Sequence, residues 1–226
     1  MGWPDWIRDG SEVEPSLYAA DFRRLGEQVD DLLAAGCRVF HFDTGDGHFV
    51  PPVTIGPVVL RSIADGIHAG GGVLDCHLMV TDPEHHVEEF AASGADSVTF
   101  HVEATPDPAR VAAAAREHGL AVGIVFNPGT PPEQAAEAAG QADADLVLLM
   151  SIWPGYSGQP FMPEALGRLQ RLAELVSCPI QVDGGVGSAN ARALRDAGAS
   201  LLVAGSAIFS DPEPAAAYRR LAALAA

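Results

Sequence analysis

The stretch DFRRLGEQVDDLLAAGCRVFHFDTGDGHFV, residues 21–50, contains one full passage from helix to strand, and the rest of the chain repeats it. Residues 21–36 carry apolar side chains at helical spacing and stop at Ala34-Ala35-Gly36, where a glycine suits a left-handed C-terminal cap. RVFHFDTG, residues 38–45, is short and mostly apolar, as a strand covered on both faces should be. A Pro/Gly-rich turn follows.

Outward from this stretch the unit recurs. VLDCHLMV, SVTFHVEA, AVGIVFNP, LVLLMSIWP, IQVDGGV and LLVAGSAIF read as strands, each separated from the next by a helical segment such as PARVAAAAREHG or PEALGRLQRLAELV. Further helices end at Gly94 and Gly198, again just before a strand. With VEPSLY as the first strand, eight strand-helix units fill the chain. The economical solution is a single (β/α)8 TIM barrel of class α/β over residues 12–226, with residues 1–11 as a short N-terminal extension. A doubly wound open sheet is the other arrangement of the same units.

Composition narrows the partners. The formal charge of −17 over 226 residues opposes nucleic acid, which requires a basic surface. It would also repel an anionic substrate, so a phosphate must be captured by local backbone donors. No segment approaches a membrane span, and the charged start MGWPDWIRDGSEVEP does not read as a secretory leader. Cys37, Cys76 and Cys178 are odd in number and lack CxxC spacing, which predicts reduced thiols with packing roles in the cytoplasm.

Strand parity then locates chemistry. Side chains alternate along a strand, so His41 and Asp43 face one way while Phe40 and Phe42 face the other. The large apolar residues belong under the helices, which sends His41 and Asp43 inward near the strand's C-terminal end, where barrel active sites lie. The same test places Asp75, His77 and Met79 together, and Gln181 with Asp183. A single buried histidine is more often a satisfied core residue. Four residues converging from three strands, His41, Asp43, His77 and Asp183, predict one divalent-metal site of mixed nitrogen and oxygen donors, suited to Zn, Fe(II), Mn or Co.

A second constellation suits phosphate. Asp183-Gly184-Gly185 ends the seventh strand and Ala204-Gly205-Ser206 the eighth, the usual phosphate loops of this fold. Gly155 and Gly158, in the loop Pro154 to Gln159, add further backbone donors.

The stretches PSLYAADF, HFDTGDGHFVPPVTIGP, LDCHLMV, FHVEA, FNPGTP, MSIWPGYSGQPF, VDGGV and AGSAIF together resemble the ribulose-phosphate 3-epimerase family, over nearly the whole chain. The resemblance implies a metal-dependent inversion at C3 of a phosphorylated ketose, ribulose 5-phosphate to xylulose 5-phosphate, through an enediolate. It implies that His41, Asp43, His77 and Asp183 hold the metal, and that Asp43 and Asp183 are also the two acid/base groups. Ser16 would touch the site, Met79 and Met150 would line the enediolate, and Gly184, Gly185, Gly205 and Ser206 would take the phosphate. It further implies a homo-oligomer, dimer or hexamer.

Three positions depart from the family pattern: Gly45 replaces a methionine, Pro52 an asparagine, and Trp153 a smaller polar residue. These changes predict a reshaped pocket and a shift toward another ketose phosphate such as allulose 6-phosphate. A barrel decarboxylase would carry a DxKxxD arrangement, and this chain reads DTGDG there. A catalytically silent sugar-phosphate-binding barrel would keep the glycines without the metal ligands. His48, His68, His85, His86, His101 and His118 read as surface or supporting groups, with His48 and His101 as candidates for a supporting place beside the site, and Glu103 has no assigned role.

Overall fold

The computed structural model describes residues 6–7 and 11–226. Eight parallel strands alternate with helices: β1 (Glu12–Pro15), α1 (Leu25–Ala34), β2 (Val39–Gly45), α2 (Pro57–Ala69), β3 (Val73–Met79), α3 (Val87–Ala92), β4 (Ser97–His101) and α4 (Pro108–Glu117). The second half continues with β5 (Ala121–Phe126), α5 (Pro132–Ala142), β6 (Leu146–Met150), α6 (Ala165–Ala173), β7 (Ile180–Asp183), α7 (Ala191–Asp196) and β8 (Leu201–Ala204). A short helix α8 (Ser206–Phe209) then precedes α9 (Pro214–Ala225).

Hydrogen bonding runs β1-β8-β7-β6-β5-β4-β3-β2, and a parallel bridge between Ser16 and His41 brings the two ends together. The predicted barrel is therefore the observed one, and the open sheet is excluded. Gly36, Gly94 and Gly198 adopt φ of +100°, +98° and +113°, the left-handed conformation that stops α1, α3 and α7. Each helix is thus turned back toward the next strand within a few residues.

The outward parity of the strands builds the main core. Phe40, Phe42, Cys76, Leu78, Ile180 and Val182 are buried there against the helices. The interior is divided between two chemistries. On one side Val125, Leu148, Met150 and Ile152 form an apolar cluster. Elsewhere the strands point Glu14, His41, Asp75, His77, Ser97, Thr99, His101 and Gln181 inward, all fully or almost fully removed from solvent. Buried polar groups on this scale persist only where they satisfy one another or a ligand.

The floor of the barrel is apolar. Trp6 is buried against Val39, Leu146 and Leu201, with Ile7, Val73 and Ala121 packed beside them. The expected extension thus contributes a side chain to the barrel's lower layer, while residues 1–5 and 8–10 lie outside the described residues. Trp6→Ala is expected to lower unfolding free energy by about 3–5 kcal/mol, the usual range for emptying a buried indole site. Urea unfolding measures it, and an unchanged midpoint would show that the floor closes without the indole.

Cys37 and Cys76 are buried and Cys178 is partly buried, all three as free thiols. Among the described residues no helix is long and apolar enough to cross a membrane.

Candidate active site

The register of β2 against β3 sets Asp43 beside His77 and His41 beside Asp75, while β6 and β7 set Met150 beside Asp183. Pairing alone thus gathers groups that lie far apart in sequence. His41, Asp43, His77 and Asp183 each offer a ligand atom within 4.8 Å of the others. All four sequence-predicted metal ligands meet at one place, at the C-terminal end of the barrel.

Their partners orient them. His41 Nδ1 lies 2.9 Å from Asp75 Oδ2, and Asp75 also accepts from Ser97 Oγ at 2.8 Å and Gln181 Nε2 at 2.9 Å. The same Gln181 amide donates to Glu14 Oε2 at 2.6 Å. This network fixes the His41 ring with Nδ1 toward the carboxylates below, leaving Nε2 buried, without a hydrogen-bond partner, 3.2 Å from Asp43 Oδ1. His77 presents Nδ1 to Asp43 Oδ1 at 3.0 Å and to Asp183 Oδ2 at 4.0 Å, and its Nε2 meets His101 Nε2 at 2.9 Å. Ser16 Oγ donates to Asp43 Oδ2 at 2.6 Å.

Such a set fits a divalent cation. A buried imidazole nitrogen with no partner, a second ring nitrogen directed at the same spot, and two carboxylates are the donors that first-row metals take, and both rings are anchored from behind as metal-binding histidines usually are.

The electrostatics separate the two carboxylates. Burial would raise the Asp43 carboxyl, but the nearby charge of His41, with the charge and hydrogen bond of His77, outweighs it and holds Asp43 well below the usual carboxylate range. Burial raises Asp183, and the charge of Asp43 raises it further, to about 6. Burial opposes a charge on His41, yet the surrounding Asp43, Asp75 and Glu14 carry its pKa well above the usual histidine value. This cage attracts positive charge, whether a proton or a metal ion. Glu14 is pushed up to about 7, chiefly by burial.

Above these groups lies a cleft. Ser16, Asp43, Met79, Met150 and Asp183 line its floor and sides, and Gly155, Gly158, Gly184, Gly185, Gly205 and Ser206 line the opposite wall. Every residue predicted to contact substrate borders this one space. Gly184 and Gly185 have φ of +117° and +62°, and a Cβ on either would come within 2.4 Å of Ile152 Cγ1 or 2.5 Å of the Phe161 nitrogen. Only glycine fits there. Among the described residues the backbone N–H groups of Gly184, Gly185 and Gly205 have no acceptor, so they remain available to an anion.

The residues around the site take other parts. In HFDTGDGHFV, His41 and Asp43 reach the site, and Asp46 and His48 serve the loop beyond it. Asp46 organises the loop, accepting from the backbone N–H groups of His48, Phe49 and Thr81 at 2.8 Å each, and His48 is exposed. Gly45 leaves no hole, because a Cβ there would meet Val50 Cγ2 at 2.8 Å, the Pro52 carbonyl oxygen at 2.9 Å and Thr54 Cγ2 at 3.2 Å. Trp153 is 55% exposed and sits with Phe49, Pro51 and Tyr156 in a separate hollow. None of Gly45, Pro52 and Trp153 lines the cleft directly, although Pro52 packs behind Gly155, which does.

Other residues were underrated. Asp75, Glu14 and Gln181 support His41, and His101 supports His77; Thr99 and His101 share a strand face, so parity carries the signal. His101 Nδ1 lies 3.3 Å from Glu103 Oε2. His101 is lowered to about 4 by burial, against the opposing contact with Glu103. Burial would raise Glu103, but hydrogen bonds from His101, Thr130 and the Asn127 N–H hold it at about 2.

The sequence matches the Ribulose-phosphate 3 epimerase family over residues 12–209. The chain belongs to the ribulose-phosphate 3-epimerase family. It is 42% identical over 207 residues to ribulose-phosphate 3-epimerase of Escherichia coli (strain K12), covering 89% of this chain and 90% of that protein. It is 38% identical to the ribulose-phosphate 3-epimerase, cytoplasmic isoform, of Oryza sativa subsp. japonica over 207 residues, 90% of each. Its fold is similar to that of orotidine 5'-phosphate decarboxylase from Pyrococcus horikoshii OT3, with a TM-score of 0.70, 15% identity and coverage of 94% and 98%. That last likeness is one of fold alone. Membership of the epimerase family makes the protein an isomerase of a phosphorylated pentose.

Proposed function

We propose that this family member interconverts D-ribulose 5-phosphate and D-xylulose 5-phosphate by a metal-dependent, two-base proton transfer at C3. The observation that carries the reading is that Asp43 and Asp183, on β2 and β7, reach the same cleft with opposite proton affinities.

Inversion of a carbon beside a ketone needs one group to take a proton from one face of the sugar and another to give a proton to the opposite face. Asp43, favoured as the anion, takes the C3 proton onto a carboxylate oxygen. Asp183, the more readily protonated of the two, delivers a proton to the other face of the planar enediolate, and the roles exchange in the reverse direction. Ser16 steadies Asp43 through its 2.6 Å hydrogen bond. His41, Asp43, His77 and Asp183 would hold one divalent ion, Zn, Fe(II), Mn or Co. When bound, it supplies positive charge beside the oxygens on which the enediolate charge develops. Met79 and Met150 keep water from the reacting carbon, and the free N–H groups of Gly184, Gly185 and Gly205, with Ser206 at the start of α8 and the loop of Gly155 and Gly158, receive the phosphate.

The same reading places a homo-oligomer in the cytoplasm. The three free thiols and the cytoplasmic rice relative support the location, and the net charge of −17 agrees with a small anionic substrate held by backbone rather than with nucleic acid. Incubation with ribulose 5-phosphate in heavy water should yield xylulose 5-phosphate with deuterium at C3, and a lower kcat/KM for allulose 6-phosphate. A preference for the hexulose phosphate would sink the pentulose assignment. Binding of ribulose 5-phosphate without exchange would instead favour a silent binding barrel.

A further inference from the structure

His77 does not reach solvent or a carboxylate from its far side; it meets a second imidazole. We infer that Glu103 and His101 are positioning residues that set the tautomer of His77, through a polar relay anchored on the loop after β5. This inference rests on the metal reading given above, since the nitrogen being prepared is His77 Nδ1.

The relay can be followed one proton at a time. The backbone N–H of Asn127 donates to Glu103 Oε1 at 2.9 Å, and the Thr130 hydroxyl donates to the same oxygen. Glu103 Oε2 therefore remains as the acceptor for His101 Nδ1, at 3.3 Å. With its proton on Nδ1, neutral His101 carries a lone pair on Nε2, and that lone pair lies 2.9 Å from His77 Nε2. The His77 proton must then sit on Nε2. Nδ1 is left bare, facing Asp43 and Asp183.

The surroundings hold this arrangement rigid. The His77 and His101 rings meet nitrogen to nitrogen, with centroids 5.0 Å and planes 28° apart, and the Phe49 ring packs against His101 with centroids 4.6 Å apart. Arg168 fixes the loop that anchors Glu103, donating to the Asn127 carbonyl at 2.7 Å and the Met150 carbonyl at 3.0 Å while its guanidinium lies 4.8 Å above the Phe126 ring. The side chain of Glu103 is 23% accessible at the barrel rim, so it can be altered without opening the core.

Direction matters more than shape in such a chain. In Glu103→Gln the amide oxygen stays with Thr130 and the Asn127 N–H, which turns the amide NH2 toward His101. His101 must then accept at Nδ1 and carry its proton on Nε2, against the Nε2 proton of His77. Relief comes only by moving the His77 proton to Nδ1, the position needed by the metal. His101→Gln behaves differently, because its amide can accept from His77 and donate to Glu103, keeping the polarity.

Cobalt(II) binding measured by chelator competition, with the cobalt absorption spectrum, tests this. Glu103→Gln should bind cobalt about 10–100-fold more weakly than wild type, with an altered spectrum. His101→Gln should stay close to wild type in both. Circular dichroism and thermal midpoints of the two variants separate these effects from misfolding, and neither substitution empties a core position. Wild-type affinity in Glu103→Gln, or equal weakening in His101→Gln, would overturn the relay while leaving the metal site intact. If the wild-type protein bound no cobalt, the metal reading itself would fall, and the relay with it.

Discussion

Asp183→Asn is expected to abolish net epimerisation in both directions while leaving C3 hydrogen exchange for one epimer only. The two carboxylates approach the cleft from β2 and β7, and in the proposed mechanism each serves one face of the sugar. Removing the base on one side leaves the other free to abstract and return a proton on its own face. That restores the starting epimer, now carrying deuterium if the solvent is heavy water. Asp43→Asn should show the mirror pattern, with exchange confined to the opposite epimer. In each case kcat for epimerisation should fall by about 10²–10⁴-fold or more, the range for loss of a positioned acid or base. Both side chains also belong to the proposed cation set, so metal content must be measured beside the exchange. Exchange of both epimers at equal rates in either variant would mean that a single base serves both faces, and the two-base reading would be lost.

Strand parity made half of this site legible before any coordinates. His41, Asp43, His77 and Asp183 each have at least one large apolar neighbour of opposite parity, so a period of two separates them from Phe40, Phe42, Leu78 and Val182. The eight-unit barrel followed from the same alternation and from the glycines that end the helices. What parity cannot give is the partner. That Asp75 receives His41 depends on where β7 brings Gln181, and Gln181 in turn depends on Glu14 of β1, contacts spanning more than a hundred residues. His101 obeyed the same alternation, but its role needed the ring of His77 beside it.

Two features of the structure are hidden from the sequence for a tertiary reason. At Gly45 the sequence shows only a missing side chain; the loop of residues 46–54 folds back and fills that space with Val50, Pro52 and Thr54. The charged start of the chain offered no periodicity, yet Trp6 enters the floor through size and apolarity alone.

Chelation supplies the second large effect. Removal of divalent ions is expected to lower kcat/KM by about 10³-fold or more, since charge stabilisation by a bound cation is worth several kcal/mol and each 1.36 kcal/mol is tenfold. The cage makes this dependence steep. Asp43, Asp75, Asp183 and Glu14 crowd around two imidazoles in a space almost closed to water, and without a metal the compensating positive charge must come from protons on His41 and its neighbours. Those protons offset the charge of the cage without placing a cation beside the sugar oxygens, so the metal-free site is a poor electrophile. Loading with Mn(II), Co(II) or Zn(II) should restore turnover and also raise the thermal midpoint, because a ligand bound only by the folded protein stabilises it by mass action. The rise in midpoint is independent of catalysis and should survive in a variant such as Ser206→Ala, which removes a proposed phosphate contact and no proposed metal ligand. Full activity after exhaustive chelation, with no change in midpoint on adding metal, would leave His41 and His77 as core residues and require the aspartates to work without a cation.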